Sequence, residues 1–157
     1  MTRLTVDRRR FCAALAAALA ALGTGALAQG PDWRRLGRDG PFEVAVDVAT
    51  FDGPRTRRTA RSVLVSLEGE DSSYHHMILN VGIDCDARTI SALDVQVFDD
   101  AGLVLGEGPV EPDTRAVSET DGTATLARAI CDGEGLADRR FESARAFAAW
   151  ALAQPGD

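Results

Sequence analysis

The sequence predicts an α+β fold: an antiparallel β-sheet packed by a C-terminal helix and tied by one disulfide, with an extra helix at the C-terminal end. Three observations predict it. Residues 77–98 read M-I-L-N-V-G-I-D-C-D-A-R-T-I-S-A-L-D-V-Q-V-F, two period-two runs meeting at the polar break Asp86-Ala87-Arg88, which is a hairpin signal. Two of the 3 cysteines, Cys85 and Cys131, lie beyond the N-terminal leader. Apolar residues recur at helical spacing over residues 123–131 and again over residues 136–153.

Residues 1–28 read as a cleaved export signal. Arg3, Arg8, Arg9 and Arg10 form a basic front, residues 11–22 are apolar and alanine-rich, and Ala26-Leu27-Ala28 is a small-x-small cleavage site. The apolar run is shorter than the roughly 20 residues a spanning helix needs. Asp7-Arg8-Arg9-Arg10-Phe11-Cys12 resembles the twin-arginine export motif, with a general secretory signal as the alternative. Cys12 leaves with the signal. Cleavage before Gln29 leaves 129 of the 157 residues as one domain, residues 29–157, with a helical extension from about residue 134.

That domain carries 13 basic and 23 acidic residues, a net charge of −10. Such a surface repels phosphate backbones, so nucleic acid is excluded as a partner. Two cysteines in an exported domain are read as one disulfide, and closing that loop is worth about 4 kcal/mol in the chain-entropy account.

Along the mature chain, residues 33–36 form a first strand and residues 37–41 a turn. Phe42, Val44, Val46 and Val48 alternate with Glu43, Ala45 and Asp47, a half-buried strand with its second face largely charged. Asp52-Gly53-Pro54 breaks it, and Arg55-Thr56-Arg57-Arg58 follows. Three arginines in four residues make a local basic patch, either a solvated loop or a docking point for an acidic partner through Arg55, Arg57 and Arg58. The next strand, residues 59–67, puts Val63, Val65 and Leu67 on one face. Residues 68–73 are a charged, exposed loop. In residues 74–85, Met77, Leu79, Val81, Ile83 and Cys85 share one face, which turns Cys85 inward.

After the hairpin, Leu93, Val95 and Val97 share a face. Asp99-Asp100-Ala101-Gly102 is a turn, residues 103–105 a return strand, and residues 106–120 a long connection. Asp121 caps a helix over residues 123–131, closed by Gly133, whose face is Leu126, Ala127, Ile130 and Cys131. Residues 136–153 form the second helix, with Phe141, Ala144, Phe147, Ala148, Trp150, Ala151 and Leu152 as its apolar stripe. That stripe is core packing or, alternatively, a partner-facing surface.

The order of these features resembles a known family. Asp32-Trp33, the strand ending Val44-Ala45-Val46-Asp47, I-D-C-D-A-R-T-I around Cys85, V-F-D-D-A-G at residues 97–102 and A-I-C at Cys131 follow one another as in the surface-adhesin protein E family of exported bacterial proteins. The resemblance covers residues 32–133. It implies an antiparallel sheet packed by a C-terminal helix and tied by a disulfide, with binding of other proteins and dimer formation. The chain departs from the family in having no lysine, no lipobox, Asp121-Gly122-Thr123 where a proline-glycine-serine turn is expected, and a helix after Cys131.

The residues give little chemistry. His75 and His76 are strand neighbours that point to opposite faces, without H-x-H or C-x-x-C spacing, so no metal, cofactor or catalytic residues are assigned. Ser62, Ser66 and Ser91 sit in no nucleophile elbow. The chain reads as a non-enzymatic exported binding module of the bacterial envelope, periplasmic, surface-bound or secreted. Its partner is a protein of unknown identity or a second copy, paired through the unguarded strands at residues 33–36 or 42–48. An inhibitor of a secreted enzyme, using residues 68–73, and a small-ligand carrier, using a closed apolar pocket, are the other two readings. Replacing Arg8 and Arg9 by lysine is expected to abolish export. Export at the wild-type level in a fractionation assay would reject the twin-arginine route.

Overall fold

The computed structural model describes residues 30–67, 74–111 and 113–154. The leader and the loop at residues 68–73 lie outside the described residues.

Six strands run as an antiparallel meander: β1 (Trp33–Asp39), β2 (Phe42–Asp52), β3 (Arg58–Ser66), β4 (His76–Asp84), β5 (Thr89–Phe98) and β6 (Val104–Pro109). Two short strands complete one eight-stranded sheet. β7 (Arg115–Ala116) pairs with β5, and β8 (Arg140–Phe141) pairs with β1, giving the order β6-β5-β4-β3-β2-β1-β8. Helix α1 (Thr123–Asp132) packs on one face and α2 (Ala144–Leu152) on the other.

Strand alternation sorts the core into two halves. Val46, Ala60, Val81, Ile83 and Ile90 meet Leu126, Ala127, Ala129 and Ile130 of α1. Trp33, Ala45, Val63, Val65 and Ile78 meet Phe141 and Ala144, Phe147, Ala148 and Ala151 of α2. Trp150 is held between the Arg35 and Arg139 guanidiniums, 5.6 and 5.4 Å from its ring. The aromatic stripe is therefore core.

Covering the second face corrects the picture of β2. Its charged side is buried: Glu43 is 3 % and Asp47 1 % exposed. Burial of a charge requires partners. Glu43 pairs with Arg35 and with Arg38 (3.5 Å), and Asp47 accepts the amides of Asp32 (2.8 Å) and Ala49 (3.2 Å). Both arginines reach Glu43 because β1 continues through the expected turn. A bulge at Leu36 preserves its pairing to Asp39, and only Gly40-Pro41 turns the chain.

The extra helix is half as long as its periodicity suggested. Residues 136–143 are not helical: Arg140-Phe141 adds to the β1 edge, and Ser143 starts α2 by accepting the Ala146 amide (3.0 Å). The N-cap of α1 is Gly122 rather than Asp121, although the Asp121 carboxylate accepts the Thr123 amide (2.9 Å). Gly133, at φ 73°, closes the helix as expected. In β5 a bulge at Leu93 separates it from Val95 and Val97, turning it outward over Gly82. Part of the expected connection at residues 106–120 belongs to β6 and β7. β2 is interior, and β8 pairs with Trp33 and Arg34 of β1, which covers the first half of the edge expected at residues 33–36.

The Cys85–Cys131 disulfide is formed, with Cα atoms 5.7 Å apart. Replacing both cysteines by serine is expected to lower unfolding free energy by roughly 2–5 kcal/mol in urea titrations. A variant as stable as the wild type would mean that the bridge adds nothing.

The histidines also differ from expectation. His75 sits at a bend before β4, which brings its Nδ1 to 2.9 Å from that of His76. His76 is 2 % exposed and stacks on Phe98 at 4.8 Å. Burial, then the His75 and Arg145 charges, lowers its pKa from 6.5 to about 4. The unfolded chain takes up this proton near pH 6.5 and the folded chain only near 4. The stabilisation from the neutral ring is thus complete above pH 6.5 and lost as pH falls towards 4, on the order of 2–3 kcal/mol. In His76→Phe this part of the pH slope should vanish. An unchanged slope across that window would assign it to other groups.

Candidate functional site

Ten residues of helix reach about 15 Å, too short to cover one face of an eight-stranded sheet. What decides which part stays open is where α1 is fastened. Its C-terminal end is held by Cys131. Arg55 donates from Nη1 to the Cys131 carbonyl (2.9 Å), and Arg58 donates from Nη1 to the Ile130 carbonyl (2.8 Å). Cations at the last carbonyls of a helix satisfy free acceptors and oppose its dipole. The Arg55 carbonyl accepts the Cys85 amide (2.8 Å), which ties the same turn to the hairpin. Two of the three arginines read as a docking patch are thus engaged inside the chain; Arg57 stays exposed in the 3-10 turn at Arg55–Arg57.

The opposite end of α1 stands over a cleft of about 150 Å³. Val44, Leu64, Leu79, Val81, Ile90 and Ala92 form its sheet side, and Leu126 its helix side. Ser62 lies among them, fully buried, but its hydroxyl donates to the Ala45 carbonyl (3.1 Å), so it presents no unsatisfied donor. The mouth is polar: Asp39 at the end of β1, Arg115 on β7, and Thr123 and Thr125 on α1. Bonds from the Thr123 hydroxyl and amide, with the Arg115 charge, hold the Asp121 carboxyl below the usual carboxylate range. Gly122 shapes this rim, because a Cβ there would overlap the Asp39 carboxylate. β1 can approach the start of α1 only beside a glycine.

Chemically, the cleft can hold an apolar body by excluding water from it and orient one polar end at the mouth. Its hydroxyls at Ser62 and Thr123 are committed to bonds within the chain. No cluster of three or more metal-ligating side chains occurs among the described residues. None of the described helices is long and apolar enough to cross a membrane.

Sequence reasoning found the disulfide and the apolar faces but not the cleft. Its lining comes from six strands and a helix, so no local spacing announces it. The one signal was Leu64, on the face shared with Leu79, Val81 and Cys85 but outside the cluster that α1 covers. Compared with known proteins, the chain matches no family model, no curated protein and no solved structure.

Proposed function

We propose that the protein is a non-catalytic binding module that holds a small, largely apolar molecule in the cleft beneath the start of α1. The observation that carries this reading is the cleft itself, a recess of about 150 Å³ whose floor is apolar but for the internally bonded Ser62 and whose charged groups stand at its mouth. Concave apolar pockets with a few convergent polar groups are the usual ligand sites. An apolar cavity of about this volume admits a single ring or a short branched chain. The disulfide accords with an oxidising compartment outside the cytoplasm, where such a carrier would work.

A second reading, protein binding as implied by the resemblance to surface-adhesin protein E, draws support from the exposed residues Leu103, Val104 and Leu105. The enzyme-inhibitor reading depends on residues 68–73, outside the described residues.

Toluene and indole serve as probes of the cleft. Either is expected to shift the methyl resonances of Leu64, Leu79 and Leu126 while leaving those of Val63 and Val65 on the other face in place. Ala92→Phe should fill the cleft and weaken probe binding at least about tenfold, or ~1.4 kcal/mol, with little change in melting temperature. Saturating probe that moves none of these methyls would overturn the reading.

A further inference from the structure

We infer that the outer edge of β6 is a docking strand for an extended cationic segment of another protein, taken up as one more antiparallel strand. β6 is the last strand of the sheet at the end away from β8, so one side of its backbone has no neighbour among the described residues. Folded proteins blunt such edges with charge, proline or bulges. Here Glu107 and Pro109 stand in the second half of the strand, and a bulge at Leu105 lies in the first half, which carries neither charge nor proline. The first half, with the residue before it, presents Leu103, Val104 and Leu105 at 66, 50 and 54 % exposure, and Leu93 on the adjoining β5 adds a fourth large apolar side chain at 44 %. Gly106 and Gly108 have no atom within 4 Å of where a Cβ would stand, so an incoming main chain meets bare backbone there. Pro109 lacks an amide, which ends the pairing and sets the docking stretch at residues 103–108.

Charge selects the partner. Residues 89–114 contain no arginine and six acids: Asp94, Asp99, Asp100, Glu107, Glu111 and Asp113. The ion pairs among the described residues involve other acids: Asp32, Glu43, Asp86, Glu119 and Asp132. Three of the six accept hydrogen bonds from neutral donors: Asp94 from Asn80, Asp99 from the Leu103 amide and Glu107 from Gln96. Arg145 of α2 lies over Gly102 in the turn before β6, and Arg115 of β7 pairs with Ile90 at the other end of β5, away from β6. A second copy would bring the same acidic edge against this one, and like charges across a strand pair destabilise it. A segment alternating lysine or arginine with aliphatic residues supplies main-chain bonds, apolar contacts for residues 103–105 and countercharge together. Strand addition of this kind takes its affinity from the backbone and its specificity from alternate side chains.

Fluorescence anisotropy on the purified protein tests the inference with three eight-residue peptides, alternating Lys-Val, Glu-Val and Lys-Pro. The Lys-Val peptide is expected to bind and to slow amide exchange at residues 103–108. Its affinity should fall about tenfold as salt rises from ~50 to ~200 mM. Glu107→Lys with Glu111→Lys, both exposed, should weaken it at least tenfold without changing the melting temperature. The Glu-Val and Lys-Pro peptides should not bind. Equal binding of the Lys-Pro peptide would reduce the effect to bulk charge and overturn strand addition. Equal binding of the Glu-Val peptide would overturn the charge selection. Failure of all three peptides, or a dimer by light scattering that occupies the edge, would overturn the inference outright.

Discussion

The rest of the structure depends on one junction, where the Cys85–Cys131 bridge meets the arginines of the turn between β2 and β3. The bridge is a covalent tie between a hairpin and a helix end 46 residues further on. The Arg55 and Arg58 guanidiniums bond to the carbonyls of Cys131 and Ile130, and the Arg55 carbonyl takes the Cys85 amide. The hairpin, the turn and the start of β3 converge on one end of α1. A helix fixed at one end and too short for the face beneath it leaves a recess at the other, and that recess is the cleft. The disulfide therefore shapes the candidate site from the far end of the helix, without touching it.

The second constraint is that both faces of the sheet are covered. Antiparallel sheets commonly leave one face to water, and their strands then alternate cleanly. In this chain Glu43 and Asp47 alternate with valines as though solvated, yet α2 buries them. The burial is tolerable because Arg35, Arg38 and the amides of Asp32 and Ala49 supply partners. Removing one partner would leave a buried charge uncompensated, which costs more than the pair contributes. Arg35 also lies over the ring of Trp150. The same guanidinium thus neutralises a buried carboxylate and holds the helix that buries it.

These two facts explain what the sequence disclosed. The strands, the hairpin and the disulfide were legible because each is written in local alternation or in the count of cysteines. Met77-Ile78-Leu79 and Val63-Leu64-Val65 are continuous apolar runs, which is how strands covered on both faces read, but alternation elsewhere in β2 and β4 masked them. Phe141 fell at helical spacing from Ala144 and Ala148, so a two-residue strand passed as a helical turn. Ser143, a strong N-cap residue directly before the alanine-rich run, was the local sign that the helix starts later. The bend that brings His75 to His76 and the bulge that turns Leu93 outward have no composition of their own. They follow from pairing across strands, which a single segment does not encode.

With two faces covered and one end reached only by the two-residue β8, the surfaces left for a partner are few, and they differ in kind. The cleft is a recess with a mainly apolar floor and a polar mouth and suits a compact molecule. The β6 edge, bulged at Leu105, has an apolar first half and an acidic surround and suits an extended chain. The two are not independent in space, because β5 contributes to both: Ile90 and Ala92 line the cleft, while residues 94–98 pair with β6. The bulge at Leu93 lies between these halves. Strand addition at β6 would stiffen β5 on one side of that bulge, and a ligand in the cleft would brace it on the other. Rigidification by one occupant would lower the ordering cost for the second, and β5 is the strand the two sites share.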